Sequence, residues 1–292
     1  MGSIDRVMAG FLATPWFMHE GKAREILAVL EWRAETGQGK PYDVEAQPEP
    51  ERRGRIAVIP LVGTILPRSA LVGQMSPSPS IEDFMKSFRA AAQDPDVKAI
   101  VLDIDSPGGR VDKVPEAAAE IGAARRPDRP IVAIANTLAA SAAYYIAVSA
   151  DEVVVTPSGE VGSIGVIAMH QDLSEALKAK GVSVTIVQQG ARKSEGNPFG
   201  PLDEEALRHF EAMTAHTYDG FVAHVAAHRG VDDTVVRADP ESGKPHMGGG
   251  RCYHASDAVA LGMADRIETF EQTLQRLSAE ISERQRRRDV MS

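Results

Sequence analysis

An α/β fold built on a mostly parallel sheet is predicted by two features of the chain. From Arg55 onward, short β-branched runs alternate with helical stretches, the pattern that places helices against a parallel sheet. The runs Ala99–Ile104 (Ala-Ile-Val-Leu-Asp-Ile) and Ile131–Ala135 (Ile-Val-Ala-Ile-Ala) are nearly all apolar, as strands covered on both faces must be. At 292 residues, 43% hydrophobic and 25% charged, the chain has the composition of a globular protein and excludes global disorder.

The elements follow in order. Ala23, Ile26, Leu27, Leu30 and Trp32 recur at near-helical spacing in Glu20–Ala34, which contains no proline, so an amphipathic helix is expected there, ending near Gly37 and Gly39. Residues 38–53 mix Pro, Gly and charge without periodicity, the composition of a linker, and place a boundary near Gly54. Beyond it we expect strand Arg55–Leu61, helix Ile81–Gln93, strand Ala99–Ile104, helix Val114–Ala124, strand Ile131–Ala135, helix Ser141–Ser149 and strand Glu152–Thr156. Residues Gly162–Met169 and Val182–Val187 continue the alternation as strands. A long helix follows over Leu202–Arg229, with Leu207, Phe210, Met213, Tyr218, Phe221 and Val225 as core positions. Ser256–Leu261 and Phe270–Ile281 read as helices, and Arg284–Asp289 as a solvated charged tail. The expected organisation is an N-terminal helical arm and linker over 1–53, a main domain over 54–266, and a C-terminal helix and tail over 267–292. No repeat at a solenoid period occurs.

Charge and composition exclude several functions. With 32 Lys and Arg against 41 Asp and Glu, the net charge is −9, the wrong sign for coating nucleic acid. The single Cys252 cannot form an intramolecular disulfide or a cysteine-based zinc cluster. No stretch approaches the roughly 18 consecutive apolar residues that span a bilayer, and no A-x-A-like cleavage site follows the N-terminal apolar segment, so a cytoplasmic protein is expected. Arg6 stands where a myristoylation signal needs Ser or Thr.

Three segments carry candidate chemistry. Strand Ala99–Ile104 runs into Asp105-Ser106-Pro107-Gly108-Gly109, a turn whose glycines can aim backbone N–H groups into the crevice at the strand ends. That is the geometry of an oxyanion hole, although a lone Pro-Gly-Gly reads first as an ordinary strand-to-helix turn. Ser141 stands among small residues at the start of a helix, a setting that suits a nucleophile or, equally, close helix–sheet packing. Two residues are candidates to take its proton. His170, in Met169-His170-Gln171-Asp172, can pair with a carboxylate or simply cap a strand end. Lys193 lies in the Gly/Pro-bounded loop Gly190–Phe199, and a lysine serves as base only where burial and neighbours let it shed its proton.

Together these segments resemble a known family. Asp105–Gly109, Ala140–Ala147 (Ala-Ser-Ala-Ala-Tyr-Tyr-Ile-Ala), Val161–Ile167 (Val-Gly-Ser-Ile-Gly-Val-Ile) and the Lys193 loop occur in the order and spacing of the signal peptide peptidase A (S49) family of serine peptidases. The resemblance covers residues from about 54 to 266, including Gly250–Tyr253 and Ala258–Asp265. It implies a ClpP/crotonase-like spiral of β-β-α units. It further implies a serine endopeptidase with a Ser–Lys dyad: Ser141 as nucleophile, Lys193 as general base, Ser163 orienting the lysine amine. Gly109, with Gly108 beside it, and the Ala142 N–H would form the oxyanion hole, with no cofactor and no metal. Two departures stand out. Ala142-Ala143 replaces the Gly-Gly common after the nucleophile, which narrows the groove, and no membrane anchor is present. Phe11–Trp16 and Lys193–Phe199 look more like the phage and prophage branch, whose members process head or scaffold proteins. The implied partners are a peptide or protein substrate, further copies in a homo-oligomer and phage head or scaffold proteins, with no nucleic acid and no membrane span. The rival readings are a crotonase-fold acyl-CoA enzyme and a catalytically silent capsid-assembly subunit.

Overall fold

The computed structural model describes residues 16–18, 48–67 and 80–291. The helix expected over Glu20–Ala34 and most of the linker expected over 38–53 lie outside them. The first described element is β1, Trp16–Met18. The last three residues of the expected linker form a strand, β2 (Glu51–Arg53), which turns at Gly54, φ 63°, and pairs antiparallel with β3 (Ile56–Val62). Its Glu-Arg-Arg sequence is exposed, and such charge protects the sheet edge it forms from pairing with another chain.

Helix α1 (Ile81–Gln93) matches its expected span. Ser80 caps it by accepting from the Asp83 amide, and Ile81, Phe84, Met85 and Phe88 bury its apolar stripe. Strands β4 (Ala99–Ser106) and β5 (Gly108–Arg110) precede α2 (Val114–Ala123), and β6 (Ile131–Ala140) precedes α3 (Ala142–Ala147). Strands β7 (Glu152–Val155) and β8 (Glu160–Gly162) lead to α4 (Ser174–Ala179). The long α5 (Glu204–Arg229) and short α6 (Asp233–Arg237) follow, then β9 (Cys252–His254), α7 (Ala255–Ala260), β10 (Arg266–Ile267) and α8 (Phe270–Met291). The order β4-β5-α2 and β7-β8-α4 is the expected β-β-α unit.

The main sheet runs β10-β7-β6-β4-β3-β2, parallel except at β2, with β8 alongside the far half of β6 and β9 antiparallel to β8. Its central strands β3, β4, β6 and β7 are buried on both faces because each is apolar on both. Ile100, Leu102 and Ile104 join the core beneath α1, α2, α3 and α5, whereas Ala99, Val101, Val132, Ile134 and Val154 face Leu274, Leu277 and Ile281 of α8. The C-terminal helix is thus a wall of the sheet. Arg276 ties it down by bonding Glu268 and reaching Glu152 of β7 at 2.9 Å.

Three expectations differ. Strand Gly162–Met169 does not form: β8 ends at Gly162, and positive φ at both Gly162 (133°) and Ser163 (55°) turns the chain off the ladder. Val182–Val187 is not a strand either. Its β-branched residues find no neighbouring strand among the described residues, and Val184, Ile186 and Val187 are exposed; propensity without a pairing partner does not hold a strand. On α5 the core positions gather in the C-terminal half, with Phe221 and Val225 buried, whereas in the first turns Ala206 is buried but Leu207 is exposed.

Candidate active site

The nucleophile candidate occupies a one-residue turn. Strand β6 ends on Ala140, fully buried, and α3 begins at Ala142, so Ser141 alone reverses the chain, with φ 54° and ψ −114°. A non-glycine residue held there stores on the order of 1–3 kcal/mol of strain. This is the geometry of a nucleophile elbow, made here without the flanking glycines because Ala139, Ala140, Ala142 and Ala143 present only methyl groups. The Ser141 amide donates to Gly162 O at 2.8 Å, and its carbonyl accepts from the Tyr145 amide at 2.8 Å. Tyr144, fully buried, donates its hydroxyl to Met263 O at 2.8 Å and anchors α3; burial holds its phenol well above the ordinary range.

Ser141 is fully buried, and its Oγ has no hydrogen-bond partner. An orphaned buried hydroxyl costs about 1–3 kcal/mol. Strain and an unmet hydroxyl at the same residue are features that packing alone does not favour.

The glycines of the Asp-Ser-Pro-Gly-Gly turn play distinct parts. The Gly108 N–H donates to Ser106 Oγ at 3.2 Å, and Ser106 in turn donates to Gly63 O at 2.7 Å. Gly108 therefore shapes the turn, and its N–H is engaged. Gly109 lies against Ile65, whose backbone carbonyl leaves no room for a Cβ, so only glycine fits. Ala142 is the first residue of α3, where a helix N–H has no intrahelical acceptor. Strand β5 packs against α3, which brings the Gly109 segment to the nucleophile turn.

Ser163, buried, has a left-handed backbone as Ser141 does, and its amide donates to Arg251 O at 2.9 Å. Lys193 is not joined to them: it is exposed, and Ser141 Oγ bonds nothing. Its loop is tied elsewhere, through Arg192 to Glu205 of α5 and through the ring of His170, whose Nε2 bonds Asn197 O at 3.0 Å. His170 thus serves the loop and lies outside hydrogen-bond reach of Ser141 Oγ.

Residues the sequence reading passed over complete the frame. Gly162 has φ 133°, and a Cβ there would meet Arg251 O at 2.5 Å; its place ahead of Ser163 in the motif was the available signal. His224 of α5 stacks on Tyr145 of α3 at 3.9 Å and reaches Tyr145 O at 3.0 Å and Ser149 Oγ at 3.1 Å. Burial, with His228 beside it, lowers its pKa to about 4, so it is a neutral buttress. Only a pairing 79 residues apart could have announced it. At the end of β4, burial raises the carboxyls of Asp103 and Asp105, partly offset by hydrogen bonds from Asn136 and Thr137. Burial pushes the Cys252 thiol up to about 12, which keeps it protonated and inert. No described helix is long and apolar enough to cross a membrane.

Comparison with known proteins adds the following. Residues 123–283 match the family described as Peptidase family S49. The chain is 31% identical to capsid assembly protease C of Escherichia phage lambda, over 73% of this chain and 46% of that protein. It is 28% identical to the head-tail preconnector protein GP5 of Enterobacteria phage P21, over 73% of this chain and 40% of that protein. It is also 28% identical to protease 4 of Salmonella typhi, over 79% of this chain and 35% of that protein. The chain thus spans less than half the length of each of these relatives.

Proposed function

The chain belongs to peptidase family S49, and from that premise we propose that it hydrolyses peptide bonds through an acyl-enzyme on Ser141. The observation that carries the reading is the strained, buried Ser141 whose hydroxyl has no partner. In the proposed reaction Lys193 accepts the Ser141 proton as Oγ attacks the substrate carbonyl carbon. The tetrahedral oxyanion is met by the N–H groups of Gly109 and Ala142. Collapse breaks the C–N bond, and the leaving amine takes the proton back from Lys193. Water then attacks the ester, giving its proton to Lys193, and as the C–Oγ bond breaks Lys193 passes that proton to Ser141 Oγ and the acid product leaves. Ser163 orients the lysine amine. Methyl groups on either side of Ser141 leave little width, which favours small or apolar residues next to the scissile bond.

The similarity to a phage capsid assembly protease and a head-tail preconnector protein supports a protein substrate of phage assembly. We further propose a homo-oligomer working in the bacterial cytoplasm, with the catalytic unit over 54–266. A silent assembly subunit is the second reading, favoured by one observation: Lys193 is exposed and unbonded to Ser141.

Mass spectrometry after exposure to a fluorophosphonate tests the choice. We expect a single adduct on Ser141, absent from Ser141→Ala and strongly reduced in Lys193→Ala. A folded protein that takes no adduct would establish the silent subunit.

A further inference from the structure

Strand β5 has two edges, and both are filled. On one, the Ile65 amide donates to Gly108 O at 2.8 Å and the Arg110 amide donates to Ile65 O at 3.0 Å. In an extended chain the N–H and C=O of one residue point the same way and successive residues alternate. Gly109 therefore turns its N–H and C=O to the opposite edge. That edge is taken by β1, antiparallel, with Trp16 opposite Arg110, Phe17 opposite Gly109 and Met18 opposite Gly108.

Direction gives this pairing its meaning. Strands β4 and β6 are in register at Ser106 and Ala139, so the Gly108 end of β5 is the end beside Ser141. A strand antiparallel to β5 runs from Arg110 toward Gly108, hence toward the nucleophile. An extended peptide that adds to this edge sets the carbonyl of its residue opposite Gly109 on the Gly109 N–H, the donor assigned above to the oxyanion, with the chain running on toward Ser141 and its backbone supplying affinity whatever its sequence. β1 runs in that direction on that edge.

We propose that Trp16–Met18 is a self-strand: the chain's own segment holds the edge on which the acyl half of an extended peptide substrate would pair, and substrate must displace it. The inference rests on the reading of Ser141 and Gly109 above. Three residues form a weak strand, but a tethered segment is present at an effective concentration of order mM, enough to compete with a free peptide. Short pairings of this kind also open readily, so the device gates the site by competition.

The test uses the full chain carrying Ser141→Ala, so that nothing is turned over. The probe is a fluorescent synthetic peptide of the sequence Ala13 to His19, and the comparison is with and without Phe17→Pro. Proline removes the amide that faces Gly109 and is excluded from a paired strand interior. We expect the peptide to bind the Phe17→Pro chain at least about tenfold more tightly, because the tethered competitor is gone. Equal affinity, or no binding to either chain, would overturn the self-strand. A second measurement needs no change at Phe17: saturating peptide should speed amide hydrogen exchange across residues 16–18, and unchanged exchange with peptide bound would overturn it as well. Peptidase assays on the chain with Ser141 intact separate the two readings. Tighter binding by Phe17→Pro with no cleavage by any variant removes the peptidase and leaves the self-strand standing. Cleavage with equal binding does the reverse.

Discussion

The Ser141 amide donates to the Gly162 carbonyl at 2.8 Å, which ties the Ser141 turn to the residue immediately before Ser163. Ser141 and Ser163 are two of only three non-glycine residues with positive φ among those described. One hydrogen bond thus couples two turns, and neither serine keeps its place if the other's strand moves.

Gly162→Ala should show that coupling. The added methyl would meet Arg251 O at 2.5 Å in a backbone with φ 133°, so we expect a loss of about 1–3 kcal/mol in urea unfolding. Fluorophosphonate labelling of Ser141 should fall in the same variant under conditions where it remains folded.

Ser141→Ala should separate activity from stability. Cleavage should vanish, yet the protein should be unchanged or more stable by about 1 kcal/mol, because a buried hydroxyl with no partner is replaced by a methyl group. Thermal unfolding of the two proteins measures it; a large destabilisation would mean that Oγ is bonded.

Arg229 and Asp265 give an acid-sensitive joint. Arg229 bonds both carboxylate oxygens, at 3.0 and 2.8 Å, and Gly262 O at 2.7 Å, while Asp265 also accepts from the Val153 amide. Burial raises the Asp265 carboxyl, but Arg229 and that amide outweigh it and hold it below its ordinary value of 3.8. A depressed carboxyl contributes stability above its unfolded pKa and loses it as pH falls through the folded one. Arg229→Met should therefore cost about 2 kcal/mol near neutrality, and the gap to the unsubstituted protein should shrink below pH 3.8. Urea unfolding at both pH values checks it.

His224 acts at higher pH. It stays neutral in the fold down to about 4 against an ordinary 6.5, so the unfolded chain binds the extra proton between those values. Its contribution is complete above pH 6.5 and is lost as pH falls toward 4. The midpoint of thermal unfolding should drop across that window, and less steeply in His224→Gln.

Much of this fold is legible in sequence because the signals are local. Phe84 and Phe88 repeat at helical spacing on α1, and the apolar runs of β4 and β6 announce strands covered on both sides. What the sequence hid depends on distant partners. Strand β6 continues through Asn136 and Thr137, polar residues that read as loop, because Leu138–Ala140 pair with Glu160–Gly162. Val182–Val187 has the composition of a strand and lacks a partner among the described residues. At the site, Ser141 was marked by its small neighbours, but its strain and orphaned hydroxyl are three-dimensional facts. Lys193 and Ser141 share a motif order without sharing a hydrogen bond.

The packing of α8 also fixes when this domain can become whole. Ile56, Val58 and Ala99 are made early, yet the surface that covers them comes from Leu274, Leu277 and Ile281. During synthesis one face of an otherwise formed sheet stays bare until the chain has been extended past Ile281. An interrupted translation product would expose a flat apolar surface to other nascent chains, so the last turns of core packing double as a quality check that only a finished domain passes.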